Sequence, residues 1–173
     1  MKAQLLYFED DGQTPNSALP VVLYHRCLTD MSDAASAFET LFARHHWRPL
    51  WRSGIFDYHH YHSTAHEALG VASGRARVTL GGESGQTLEL AAGDVLVLPA
   101  GTGHCCEQSS DDFLVVGAYP AGQEDYDLQR PGSANHAASK ARIAQVPMPQ
   151  ADPATGAEGT LVSAWQSTPR QTR

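Results

Sequence analysis

Cysteine is scarce in this chain, and the three residues present, Cys27, Cys105 and Cys106, are odd in number and show no C-x-x-C spacing. A disulfide framework is therefore not expected, and a reducing compartment fits better. Positive charge is also short: 12 Lys and Arg stand against 19 Asp and Glu, giving a formal charge of -7 with no basic cluster. That argues against a nucleic-acid backbone or an anionic membrane as the main partner. No apolar run approaches the roughly 20 residues that span a bilayer. The opening stretch meets Glu9, Asp10 and Asp11 before a signal-peptide core could form. The expectation is a cytoplasmic protein with neither nucleic acid nor membrane as partner.

What is present is ordinary for a globular protein: 173 residues, 42% apolar and 18% charged, enough for one domain with a substantial core. Residues 1–31 read as largely irregular, with a turn at Pro15-Asn16-Ser17 and a buried β run from Pro20 to Tyr24. Ser32 to His45 reads as a helix, with Ser32 as N-cap, Asp33 at the positive helix start and a stripe of Ala34, Phe38, Leu41, Phe42 and His45. Trp47 to Trp51, with Pro49 inside it, is expected to end that helix. From Gly54 to Tyr119 the period becomes two. Runs at 74–80 and 87–90 flank a Gly-rich loop as a hairpin, Val95 to Leu98 forms a strand between Gly and Pro turns, and Asp112 to Tyr119 forms another. Beyond Pro120 a short helix near 137–143 and an apolar tether from Leu161 to Trp165 are expected, with the chain loose from Gln166 on. Closely spaced strands with Gly and Pro turns suit a barrel or two-sheet jelly roll.

The most informative stretch is Gly54 to Gly74. His60 and His62 are two apart, so on a β-strand both point to one face, and Glu67 shares a face with Leu69 and Val71 on what reads as the next strand. His104 follows Gly93, Pro99 and Gly101. Three imidazoles and one carboxylate on one interior form a mixed nitrogen and oxygen site for one divalent first-row metal. Four protein ligands around an octahedral ion leave two positions for water, substrate or dioxygen. Taken singly, these features are bland: the histidines from His59 to His66 can be a solvated cluster, each glycine a turn residue, and Pro99 a strand terminator.

Their joint spacing resembles the cupin superfamily. Gly54, His60, His62, Glu67 and Gly74 fill the fixed positions of its first motif, and Gly93, Pro99, Gly101 and His104 those of its second, with Gln108 where Asn is usual. The flanks, including Phe8 to Gly12, His59 to Glu67, Leu98 to His104 and Asp111 to Pro120, resemble the YjlB-like single-domain cupins from about Phe8 to Trp165. The resemblance implies a mainly β chain: a single cupin-type double-stranded β-helix (jelly-roll barrel) with one or two peripheral helices, a metal inside and a homodimer. The corresponding division is 1–53 as an N-terminal strand and helix packing on the barrel, 54–120 as the cupin core, and 121–173 as a C-terminal extension of the same domain.

Several neighbours have open roles. His59 and Tyr61 alternate outward, as packing or surface residues. His66 supports a ligand or lines the rim, or replaces a ligand. Cys105 and Cys106 are small apolar fillers or thiolate ligands, Cys106 being the better inward candidate. Tyr58 and Arg77 line the pocket mouth or serve structure. Two functions follow. One is a metal-dependent enzyme acting on a small polar metabolite, with His60, His62, Glu67 and His104 holding Fe, Mn, Ni, Cu, Zn or Co and Glu67 able to move protons. The alternative is a non-catalytic module that binds or senses a metal or small molecule. Superfamily membership does not name the reaction.

Overall fold

The period-two runs fold as antiparallel strands in two facing sheets. The computed structural model describes residues 2–169. In chain order the elements are β1 (Ala3–Phe8), β2 (Ser17–Tyr24), α1 (Ala34–Arg44), β3 (Trp47–Ser53), β4 (Glu67–Ser73), β5 (Arg75–Leu80), β6 (Gln86–Ala91), β7 (Val95–Leu98), β8 (His104–Ser109), β9 (Leu114–Pro120), α2 (Ser133–Ile143) and α3 (Thr160–Ser167). The larger sheet runs β1-β2-β7-β4-β9-β3 and the smaller β6-β5-β8. This is the mainly β jelly roll expected, with three helices rather than one or two.

Alternation along the central strands divides the apolar residues between two cores. Leu23, Leu69, Val71, Leu96, Leu98 and Val115 face inward and meet Val78, Leu80 and Leu90 of the smaller sheet. Their neighbours Val22, Tyr24, Ala68, Ala72, Val95, Val97, Val116 and Ala118 face outward, beneath Phe38 and Phe42 of α1 and Leu161 and Trp165 of α3. Burial on both faces is why Val95-Leu-Val-Leu98 is continuously apolar rather than alternating. Among the described residues no helix covers the smaller sheet, and its outward residues Arg75, Arg77 and Glu89 are exposed.

Several boundaries differ from the sequence reading. The segment 1–31 holds two paired strands, not one. β1 is an edge strand with only Leu6 buried, so its alternation is weak. Trp47 to Trp51 does not merely end the helix; it starts β3, where Pro49, which has no N–H to donate, is tolerated at the sheet edge beside a register shift. Ser32 is not the N-cap: α1 begins at Ala34, Asp33 takes the cap position without a side-chain cap bond, and the Ser32 hydroxyl donates to Asp30 at 2.7 Å. Gln166 and Ser167, expected to be loose, complete α3, and residues 170–173 lie outside the described residues. Among the described residues no helix is long and apolar enough to cross a membrane.

Gly70 is where α1 meets the sheet. A Cβ there would stand 2.7 Å from the Phe38 ring, so the helix seats its aromatic directly on bare backbone. Gly70→Ala is expected to cost about 1–3 kcal/mol by overpacking, and Phe38→Leu partly to restore that loss. Urea denaturation of both single variants and the pair checks this; simple additivity would rule the contact out as the cause.

Candidate metal centre

Two short backbone pairings assemble the site. His60 lies on extended chain rather than on the continuous strand expected, and it forms an isolated antiparallel bridge with His104. The two residues exchange both backbone hydrogen bonds, at 3.1 and 2.9 Å, and their rings stand 4.0 Å apart between centroids. His62 is held from the other side: its carbonyl accepts the Gly101 N–H at 2.7 Å, so the turn that precedes His104 also fixes the second histidine. Glu67 opens β4 opposite Leu98. His60, His62, Glu67 and His104 are 2–6% exposed, so the cluster is shielded from bulk water. Gly74, Gly93 and Gly101 adopt positive φ, as turn glycines should, whereas Gly54 does not.

Each imidazole is anchored through Nδ1. The partners are the carbonyls of Tyr58 (2.9 Å) for His60, of Thr102 (3.1 Å) for His104 and of Asp127 for His62. A carbonyl can only accept, so every Nδ1 carries a proton and the nitrogen turned toward the cluster is Nε2. One nitrogen from each ring lies within 4.8 Å of the other two, a group that could hold a metal ion. Glu67 reaches in beside them, its oxygens 3.1 Å from His62 Nε2 and 3.2 Å from His104 Nε2.

The charges follow from this crowding. Burial and the neighbouring His104 push His60 down to about 3, so it is neutral. Burial alone would also lower His62, but the Glu67 carboxylate carries it above its ordinary value. Burial alone would raise Glu67, yet His62 and His104 hold it well below the usual carboxylate range. Tyr119, pushed far up by burial and then by Glu67, stays protonated and donates to Glu67 Oε2. Trp51 Nε1 donates in turn to the Tyr119 hydroxyl at 2.9 Å. Above this cluster opens a cavity of about 400 Å³, walled by Trp51, Ile55, Phe56, Leu69, Tyr119 and Tyr126.

The remaining sequence candidates lie elsewhere. His66 neither replaces a ligand nor lines the rim. Its Nδ1 accepts the Ala100 N–H at 2.9 Å and its ring lies against Trp165, on the outer side of the sheet. Arg77 is exposed on the outer face of β5 and does not line the cavity mouth. Tyr58 stacks on Phe56 with centroids 5.0 Å apart, under the Arg130 guanidinium, as support for a wall residue. Cys106 fills the inner core, and Gln108 is exposed. Tyr61 is fully buried, its hydroxyl donating to Ser139 at 2.8 Å.

Trp51, Tyr119, Tyr126 and Asp127 escaped the sequence reading. Alternation in β9 puts Val115, Gly117 and Tyr119 on one face, and the pairing of Ala68 with Ala118 sets Tyr119 across from Glu67. That signal was readable only with the partner strand known. Gly117 leaves room for the Trp51 indole, which a Cβ would strike at 2.2 Å. Asp127 lies in the C-terminal extension, where its carboxylate accepts the Ser63 and Thr64 N–H groups at 2.6 and 3.2 Å, besides the Ser63 hydroxyl. Nothing in its sequence neighbourhood marks it.

The cupin-domain family model matches residues 53–116. Over 166 residues the chain is 39% identical to the uncharacterized protein YjlB of Bacillus subtilis (strain 168), covering 95% of this chain and 97% of that one. Among solved structures, the procruciferin 11S globulin of Brassica napus matches at 18% identity and TM-score 0.37, over 46% of this chain and 21% of its own. The vicilin of Solanum lycopersicum (tomato) matches at 20% identity and TM-score 0.37, over 49% and 23%. The chain thus spans under a quarter of the length of those globulins.

Two imidazoles make the metal-free fold sensitive to acid. Burial holds both His60 and His66 near about 3, against about 6.5 when unfolded. Between those values the unfolded chain binds more protons, so this contribution to stability is full above pH about 6.5 and falls as pH drops toward 3. His62, raised when folded, works in the opposite sense and offsets part of the loss. In chelator the chain is expected to remain folded at neutral pH on its two apolar cores. The dependence of unfolding free energy on pH should weaken by about one proton in His66→Gln. Urea titrations from pH 7 to 4 measure both, and an unchanged slope would remove His66 from the account.

Proposed function

The chain belongs to the cupin superfamily as a relative of YjlB, and on that premise we propose that it is a metal-binding monocupin whose His60, His62, Glu67 and His104 hold one divalent transition metal at the floor of the cavity. The observation that carries this reading is the shared anchoring: three backbone carbonyls engage three Nδ1 atoms and turn three Nε2 atoms inward beside one buried carboxylate, a donor set that is complete once His62 yields its Nε2 proton. Nitrogen and oxygen donors without thiolate accommodate Fe, Mn, Ni, Cu, Zn or Co. An ion bound there supplies Lewis acidity and an acidified water.

We read the site as that of an enzyme acting on a small molecule. On this reading the substrate departs from the small polar metabolite expected from sequence, and the composition of the cavity walls supports that change. No Arg or Lys stands among the described lining residues, so nothing on the walls pairs with a second anionic group. The shape and chemistry suit a largely apolar or aromatic body with one polar end directed at the histidines. Tyr126, stacked on Tyr119 with centroids 4.0 Å apart, and Phe56, half exposed at the mouth, would hold that body and exclude water. Glu67 would take or return a proton at Oε2, with the Tyr119 hydroxyl steadying its charged form and Trp51 fixing Tyr119.

Reloaded with Mn(II), which favours nitrogen and oxygen donors over thiolate, the protein is expected to retain about one equivalent through desalting. His60→Ala, His62→Ala and His104→Ala should each lose it, and the surface variant His25→Ala should keep it. Full Mn(II) content in a folded His60→Ala/His104→Ala variant would reject the ligand assignment. Asp127→Ala, which removes the clamp on the turn beside His62, should weaken Mn(II) binding about 10- to 100-fold.

Access to the ion separates enzyme from binding module. Azide or nitric oxide should perturb the visible spectrum of Fe(II)-loaded protein. A spectrum unmoved by either would leave the non-catalytic module as the better reading.

A further inference from the structure

The pairing that builds the buried cluster builds a second one on its reverse side. Because His60 is bridged to His104 in antiparallel register, the next residues outward, His59 and Cys105, become cross-strand neighbours on the opposite face. Glu107 is two residues beyond Cys105 on β8 and returns to that face. One donor atom each from His59, Cys105 and Glu107 lies within 4.8 Å of the others. We propose that these three residues form a second, outward-facing site for a thiophilic divalent cation such as Zn(II), separate from the buried centre.

Three observations support a site rather than a chance cluster. His59 Nδ1 is buried without a hydrogen-bond partner among the described residues, so the ring is not committed to a protein partner through that nitrogen. Cys105 is 4% exposed although it points away from the barrel core, and Glu107 is exposed. The site is therefore reached from solvent through its carboxylate, with the thiol at its base. Glu107 is also held in place, accepting the Thr79 hydroxyl at 2.8 Å while Thr87 bonds Thr79 at 2.7 Å. Sulfur, imidazole and carboxylate together select Zn(II) over harder ions, and three protein donors leave a fourth position for water.

Co(II) titrated into the reduced protein provides the test, because a thiolate ligand adds a sulfur-to-cobalt charge-transfer band that the nitrogen and oxygen donors of the buried site do not give. The band is expected in the wild type, in Cys106→Ser and in His62→Ala, and its loss is expected in Cys105→Ser. His59→Ala and Glu107→Gln, the latter a surface change that does not threaten folding, should weaken the Co(II) affinity read from the band at least about tenfold. No band in the wild type, a band that survives Cys105→Ser, or one that disappears in Cys106→Ser would overturn the proposal. The buried site is judged separately by Mn(II) retention in His62→Ala, so either reading can fail without the other.

Discussion

The reciprocal backbone pair between His60 and His104 is the constraint on which the site depends. Two hydrogen bonds join a stretch of irregular chain to the start of β8, and they fix register as well as distance. With register fixed, side-chain alternation assigns every neighbour a face: His60, His62 and His104 inward, His59 and Cys105 outward. A slip of one residue would exchange the two sets. The Gly101–His62 hydrogen bond and the Asp127 clamp both reinforce that alignment.

The segment after β9 is an integral part of this arrangement. Gln129 exchanges backbone hydrogen bonds with Tyr61, both at 2.9 Å. Farther along, Asp152, fully buried, accepts the Tyr24 hydroxyl and the N–H groups of Ala154, Thr155 and Leu161. Trp47 and Trp165 each donate an indole N–H to a distant carbonyl, of Ala151 and Pro20. A buried carboxylate with four donors is satisfied rather than strained, and it holds the C-terminal segment where Asp127 can reach the histidine turn.

The barrel core and the four inward residues were legible because they rest on local rules: period-two alternation, turn glycines, and histidine spacing. His60, His62, Glu67 and His104 do come together. Less could be read wherever the deciding partner is remote. Pro49 looked like a terminator because the position of β3 at the sheet edge is a tertiary fact. His66 looked like part of the site because it adjoins Glu67, yet the outer docking of α3 decides its role. Tyr119 and Asp127 needed the β4–β9 register and the path of the extension. Arg77 shows the limit of proximity in sequence, since strand alternation turned it to solvent.

The bond from His62 Nδ1 to the Asp127 carbonyl joins residues 65 apart in the chain. Thermodynamic linkage then runs in both directions. Any ligand that draws on His62 Nε2 strengthens the hold of Nδ1 on that carbonyl, and so stabilises the seating of the whole C-terminal segment. Conversely, any event that loosens the segment, whether a cut in its exposed loops or a partner that captures α2, withdraws the anchor of one imidazole. The hold on the His62 ring and the seating of the C-terminal segment are therefore coupled through one backbone carbonyl.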